Sequence, residues 1–133
     1  MPVISLLGSS HANPRHLLPS ILTQKYDASP ESFKKKYALQ TARGISGGQI
    51  TKEAVFNELV AVAQETAEMP GYRGQVLILL AGTNDWANPA TTEEEFQETY
   101  KKLVDKLLSF DHTAVIMTGL VPQTEASCFP GKR

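Results

Sequence analysis

The chain has 133 residues, a length typical of one domain that is large enough to bury a hydrophobic core. Its 41% hydrophobic and 20% charged residues exclude a disordered or fibrous protein. The net charge of −1 excludes a strong overall electrostatic attraction to nucleic acid or to an anionic membrane.

Two elements are predicted in the first part of the chain. Residues 3–8, VISLLG, are an apolar run closed by a glycine and predict a buried strand. Asn-Pro at 13–14 is a helix-start signal, and apolar residues at helical spacing across 17–22 predict the helix itself. Residues 23–32 are polar and rich in turn formers, which predicts a loop.

The middle of the chain predicts a strand, a helix and a second strand. Residues 35–42 predict a weaker strand, so the Lys34-Lys35-Lys36 triplet is interpreted as its solvated beginning. Thr51 is predicted to cap a helix with one apolar face, which Pro70 and Gly71 end. Residues 75–81, QVLILLA, are the most apolar strand of the chain.

The last predicted elements are a helix and a fourth strand. Thr92 and Glu95 have the spacing of a capping box and predict a helix start. Residues 113–122, TAVIMTGLVP, predict the strand, which Pro122 ends.

The alternation of apolar strands with helices predicts an α/β fold with a parallel sheet covered on both faces. Ligands bind such sheets beyond the carboxyl ends of the strands. Three polar clusters follow strand ends: Ser9-Ser10-His11, the glycine-rich residues 44–48, and residues 82–85, GTND. We therefore expect them to lie along one edge of the sheet.

Each cluster holds one candidate for acyl-transfer chemistry, and each has a structural alternative. Ser10 is either a turn residue or an exposed nucleophile beside helix-start amides. Gly47 either loosens a turn or lets a backbone N–H approach a reacting carbonyl oxygen. Asn84 either forms an Asx-turn or donates its amide to an oxyanion. Asp85 is interpreted as a cap or turn residue rather than a catalytic acid.

In combination, GSS, ISGG and GTND after three successive strands resemble the first three conserved blocks of the SGNH, or GDSL-type, hydrolases. The resemblance implies a flavodoxin-like three-layer sandwich and an esterase, lipase, thioesterase or deacetylase activity. It matches Ser10 to the nucleophile and Gly47 and Asn84 to the oxyanion hole, with the backbone N–H of Ser10 as a third donor. It implies no cofactor and no metal.

The sequence departs from the family pattern in two places. Ser9 stands where the family has an aspartate that supports the turn. The Asp-x-x-His block, which supplies the general base after a fifth strand, does not occur. His112 precedes the fourth strand and is expected at the opposite edge, whereas His11 and His16 are poorly placed to act as a base oriented by a carboxylate.

We therefore expect residues 1–133 to form one SGNH-like domain that is incomplete at its C-terminal edge, with strand order 2-1-3-4 and the fifth strand missing. An uncovered parallel strand invites pairing. Either further chain or another subunit is expected to cover it. The base is expected from further chain, from a partner chain, or not at all.

The competing hypothesis is a catalytically inactive domain used for binding or assembly. Animal proteins that resemble the family include RNA-binding domains without the catalytic residues, and esterase-like domains occur in animal retroelement proteins. Arg15, His16, Lys34, Lys35, Lys36 and Arg43 would then be the nucleic-acid contacts.

Residue usage bears on compartment and metal binding. Cys128 is the only cysteine, so neither an intrachain disulfide nor a thiolate-rich metal site can form. The first residues lack the pattern of a signal peptide, and no apolar stretch approaches a membrane span. A soluble, intracellular protein is expected.

Overall fold

In the computed structural model, which describes residues 1–9, 12, 17–40, 42–45 and 48–118, the chain forms a five-stranded parallel sheet with helices on both faces. The predicted α/β, flavodoxin-like three-layer architecture is therefore confirmed. The strands are β1 (Val3–Ser9), β2 (Ala38–Leu39), β3 (Arg43–Ile45), β4 (Gln75–Leu80) and β5 (Thr113–Met117). The helices are α1 (Leu17–Asp27), α2 (Glu31–Lys36), α3 (Glu53–Ala67), α4 (Thr83–Ala87) and α5 (Glu93–Leu108).

The strands lie in the order β2-β1-β4-β5. Both β2 and β3 pair with β1: β2 pairs with its first residues and β3 with its last. This confirms the predicted order 2-1-3-4, with the predicted second strand divided into β2 and β3. At the break, the hydroxyls of Ser5 and Thr66 donate to Oε1 of Gln40 at 2.8 and 3.2 Å. The buried hydroxyls thus find a side-chain acceptor where the ladder is interrupted.

The main core lies on the sheet face that α3 and α5 cover. Leu7, Leu77 and Leu79 of β1 and β4 are fully buried there against Leu59 and Leu103. The alternating positions of the same strands face α1.

The second face has a smaller core. Leu6, Ala12 and Ala42 are buried there, and Leu22 of α1 packs beside Ile78. The strands are therefore covered on both sides, as their continuous apolar sequence predicts.

The prediction of a loop at residues 23–32 is wrong. α1 continues to Asp27 and α2 begins at Glu31. The hydroxyl of Tyr26 donates to the carbonyl of Tyr37 at 2.6 Å, and the Phe33 ring packs between the two tyrosine rings. These aromatic contacts stabilise helices that the local turn residues disfavour.

Lys34, Lys35 and Lys36 therefore form the last turn of α2 instead of beginning a strand. Cations are favourable at this end of a helix because of its dipole. Lys34 also forms an ion pair with Glu31 at 3.0 Å.

Of the three predicted helix starts, the one at Asn13-Pro14 lies outside the described residues, and the cap at Thr51 is wrong. α3 begins after Lys52, and the Thr51 hydroxyl bonds to Asp85 instead. At α5 the prediction is confirmed, since the Thr92 side chain accepts a hydrogen bond from the Glu95 amide at 3.1 Å. The difference arises because Thr51 has a tertiary partner that the local sequence does not indicate.

The C-terminal boundary is only partly described. β5 ends at Met117, and residues 119–133, which include the rest of the predicted fourth strand, lie outside the described residues, so the absence of a further strand stays a prediction. None of the helices in the described ranges has both the length and the apolar character needed to cross a bilayer.

Gly8 allows β1 and β4 to approach closely. Its φ is +150°, and a Cβ at this position would lie 1.8 Å from the Leu80 carbonyl oxygen. Since that oxygen belongs to the paired strand, it cannot move aside without breaking the ladder. A side chain at position 8 is therefore incompatible with the native register.

Replacing Gly8 by alanine is expected to destabilise the fold by more than about 4 kcal/mol, because the new Cβ overlaps backbone. The matched control is Gly71→Ala, which also has positive φ, +76°, but no atom within 4 Å of the new Cβ. The control should cost only about 1–2 kcal/mol of backbone strain. Urea unfolding of both variants measures the difference, and equal losses would contradict the steric argument.

Self-association through β5 stays a prediction. Within the described residues β5 pairs only with β4, and Ile116 and Met117 are 50% and 61% exposed. Light scattering after size exclusion should show oligomers that Ile116→Lys reduces. The matched control, Leu108→Lys, changes a residue that is 48% exposed on α5 and should leave the mass unchanged. A wild-type monomer at high concentration would contradict the prediction.

Candidate active site

The register of the sheet brings the ends of three strands together. Ser9 pairs with Ile45, and Gly8 pairs with Leu80. Because the strands are parallel, the chain leaves β1, β3 and β4 at the same edge. The three polar clusters of the sequence therefore begin beside one another.

The turn after β4 directs its polar residues back across this edge. Gly82 has φ +112°, a left-handed conformation that side chains disfavour, and α4 begins at the next residue, Thr83. The carbonyl of Gly82 accepts the amide of Trp86 at 2.8 Å. Asn84 and Asp85 thus lie in the first turn of a short helix directly beyond the strand.

Asn84, the predicted oxyanion donor, is half-buried and contacts the segment that follows β3. Its Nδ2 donates to the carbonyl oxygen of Gly48 at 3.1 Å. A carboxamide nitrogen carries two N–H groups, and the described residues accept from one of them. This contact holds the carboxamide in one orientation and leaves its second donor for another acceptor.

Asp85 is fully buried, with 0% of its surface exposed. Its Oδ2 accepts the backbone amide of Ile50 at 3.0 Å. Its Oδ1 accepts the amide and the hydroxyl of Thr51 at 3.0 and 2.8 Å. Removing a carboxyl group from water costs several kcal/mol unless hydrogen-bond donors of the protein replace the water. For Asp85 these donors belong to Ile50 and Thr51, which precede α3.

The sequence interpretation of Asp85 as a local cap or turn residue missed this role. The residue lies in the first turn of α4, but the hydrogen bonds of its side chain go to residues that precede α3. No sequence signal identifies those partners, because two of the three donors are backbone amides 34 and 35 residues away.

A third contact joins the same two elements. Nδ2 of Asn88 donates to Oε1 of Gln49 at 2.7 Å. We call residues 48–52 the α3 lead-in. Side chains of α4 and of Asn88, the residue directly after it, thus contact the lead-in at Gly48, Gln49, Ile50 and Thr51.

Ser9, which replaces the aspartate of the family pattern, also bonds across the edge. It is 3% exposed, and its Oγ donates to the carbonyl of Leu80 at 3.4 Å, a long hydrogen bond. The residue directly before Ser10 is thereby attached to the last residue of β4.

The other two predicted site residues, Ser10 and Gly47, lie outside the described residues, as do His11 and His16. The residues beside them are described. Ser9 pairs with Ile45, and the Gly48 amide donates to the Ile45 carbonyl at 2.9 Å.

His112 lies at the opposite edge, as the sequence predicts. It directly precedes β5, and its carbonyl accepts the amide of Gln75, the first residue of β4. The length of β4 therefore separates His112 from Asn84. Where the chain is described, no group of three His, Cys, Asp or Glu side chains could hold a metal ion.

Compared with known proteins, the chain matches no protein-family model, no curated protein and no solved structure.

Asn84→Asp is expected to lower the free energy of unfolding by about 1–3 kcal/mol, because a carboxylate cannot donate to the Gly48 carbonyl and repels it. The control is Asn57→Asp, an exposed position of α3, which should change stability by no more than about 0.5 kcal/mol. Thermal and urea unfolding measure both values. Equal stability of the two variants would show that the Asn84 contact contributes little.

Proposed function

We propose that the chain is a serine hydrolase domain of the SGNH type that acts on a small ester or acetyl group. Ser10 is the nucleophile. The backbone amides of Ser10 and Gly47 and the carboxamide of Asn84 are the oxyanion donors. No cofactor or metal takes part in the proposed reaction.

The observation that carries the proposal is the hydrogen bond from Asn84 to the Gly48 carbonyl. It attaches one proposed donor to the residue that follows another, Gly47. The Ser9–Ile45 pair supports the proposal from the third side, since Ser9 precedes the proposed nucleophile. All three proposed groups thus belong to short segments whose described neighbours are in contact.

The proposed reaction has two halves. The Ser10 hydroxyl oxygen bonds to the carbonyl carbon, and its proton passes to a base while the oxyanion forms. The bond to the alcohol then breaks, and the base returns the proton to the departing oxygen. Water repeats the sequence at the acyl-serine and releases the acid.

The oxyanion donors account for most of the proposed rate enhancement. In a measured enzyme, removing one such donor costs about 2.7–4 kcal/mol, more than an ordinary hydrogen bond contributes, because the site excludes water. An Asn84 side chain already oriented by Gly48 need not be reorganised during the reaction.

The base is assigned to a histidine outside the domain core, from further sequence or from a partner chain. His112 is at the wrong edge of the sheet. A serine without a base is a weak nucleophile. The proposal therefore entails low activity of the isolated chain and stimulation by an added base.

Hydrolysis of p-nitrophenyl acetate tests the proposal. Wild-type protein should show turnover that Ser10→Ala abolishes and that imidazole increases beyond its effect on Ser10→Ala. The matched control is Ser20→Ala, which removes an exposed hydroxyl from α1 and should retain wild-type activity. A fluorophosphonate probe should label wild-type protein but not Ser10→Ala.

Absence of both turnover and labelling, with and without imidazole, would contradict the enzyme and favour the inactive binding domain. Salt-dependent retention of RNA that is lost on replacing Lys35 and Lys36, both exposed on α2, would then identify nucleic acid as its partner.

A further inference from the structure

The three described hydrogen bonds of the Asp85 carboxyl group all come from the α3 lead-in. None comes from α4, although Asp85 lies in the first turn of that helix. A buried carboxyl group with this arrangement restrains the segment that donates to it. The restrained segment here is the one that follows Gly47.

Asp85 and Asn84 act on the lead-in in complementary ways. Asn84 donates to a carbonyl of the lead-in, whereas Asp85 accepts from two of its amides. Amide and carbonyl groups in the lead-in therefore both have partners on α4. A rotation of the lead-in that kept one set of bonds would break the other.

The Asp85 bonds are the stronger part of this attachment. Hydrogen bonds to charged groups are roughly twice as strong as those of neutral pairs such as Asn84 and Gly48. Ile50 is 2% exposed, so in the folded chain Asp85 replaces the water that the Ile50 amide would otherwise bind. The position of the Gly48 carbonyl thus depends on Asp85 more than on Asn84.

We infer that Asp85 is a positioning residue for the proposed oxyanion donor Asn84: by holding the amides of Ile50 and Thr51 it places the Gly48 carbonyl that orients the Asn84 carboxamide. This inference rests on the proposed function. Asp85 touches no reacting atom in it and acts only through the lead-in.

The consequence for rate follows from the tolerance of catalytic geometry. Functional groups must be held to within about 0.5 Å, and a misplacement of about 1 Å can cost about a hundredfold in rate. A loosened lead-in lowers kcat because the donors act on the transition state. It leaves KM nearly unchanged, since these donors bind the transition-state oxyanion more strongly than the carbonyl oxygen of the ground-state ester.

The first part of the test measures the coupling without catalysis. In Asp85→Asn the carboxamide offers one acceptor oxygen instead of two and turns N–H groups toward other donors. Backbone amide exchange at Ile50 and Thr51 should accelerate by about tenfold or more for each lost hydrogen bond. The side-chain amide signals of Asn84 in nuclear magnetic resonance spectra should shift, although that residue is unchanged.

The second part measures Ser10-dependent ester hydrolysis. Asp85→Asn should lower kcat by about ten- to a hundredfold with little change in KM. The control is Asp111→Asn, which replaces an exposed aspartate near the opposite edge of the sheet and should match wild type in both parts.

A milder variant serves if Asp85→Asn fails to fold. Thr51→Val removes only the hydroxyl donor to Oδ1 and keeps both backbone donors. It should change the Asn84 signals and kcat in the same directions, with a loss in kcat of about two- to tenfold.

The outcomes separate this inference from the proposed function. Faster exchange at Ile50 and Thr51 with unchanged Asn84 signals and unchanged kcat would overturn the inference and leave a purely structural Asp85. Unchanged exchange would overturn it as well. Absence of Ser10-dependent turnover in wild type would defeat the proposed function, and the Asn84 signals would still decide whether Asp85 orients that side chain.

Discussion

The close approach of β1 to β4 at Gly8 is the constraint on which the sheet edge depends. Only the missing side chain lets the Leu80 carbonyl lie where a Cβ would be. The same carbonyl accepts the Ser9 hydroxyl, so the end of β1 is attached to the end of β4 by both backbone and side chain. The segments that follow β1 and β4 therefore begin at a fixed distance from each other.

Hydrophobic burial and hydrogen bonding then position this edge differently, because only hydrogen bonds depend on direction. Burial of the leucines on β1, β4, α3 and α5 orients the sheet against its helices, and burial is not directional. Hydrogen bonds are directional, and they hold the α3 lead-in to α4. The core therefore brings the strand ends together, whereas the polar contacts of Asn84, Asp85 and Asn88 determine how the following segments face one another.

The sequence predicted the elements whose signals are periodic. The apolar runs of β1, β4 and β5 and the stripe of α3 predicted the α/β class with a parallel sheet, whereas the strand order was implied by the family resemblance. The position of Asn84 followed from its place after β4. Predictions failed where a distant partner outweighs a local preference. The aromatic contacts of Tyr26 and Phe33 stabilise helix in a turn-rich stretch, and Thr51 bonds to Asp85 instead of capping α3. The contacts of the buried Asp85 carboxyl group with backbone amides 34 and 35 residues away produce no periodic pattern in the sequence.

The hydrogen bonds between α4 and the lead-in depend on particular side chains in α4 but mainly on backbone groups in the lead-in. On one side they use the side chains of two adjacent residues, Asn84 and Asp85. On the other side, at Gly48, Ile50 and Thr51, they use mainly backbone groups that any non-proline residue possesses. Sequences that differ at Ile50 and Thr51 can therefore retain the backbone part of this attachment, provided that the Asn-Asp pair persists and that Gly48, where a Cβ would lie 2.9 Å from the Ile45 carbonyl oxygen, stays a glycine.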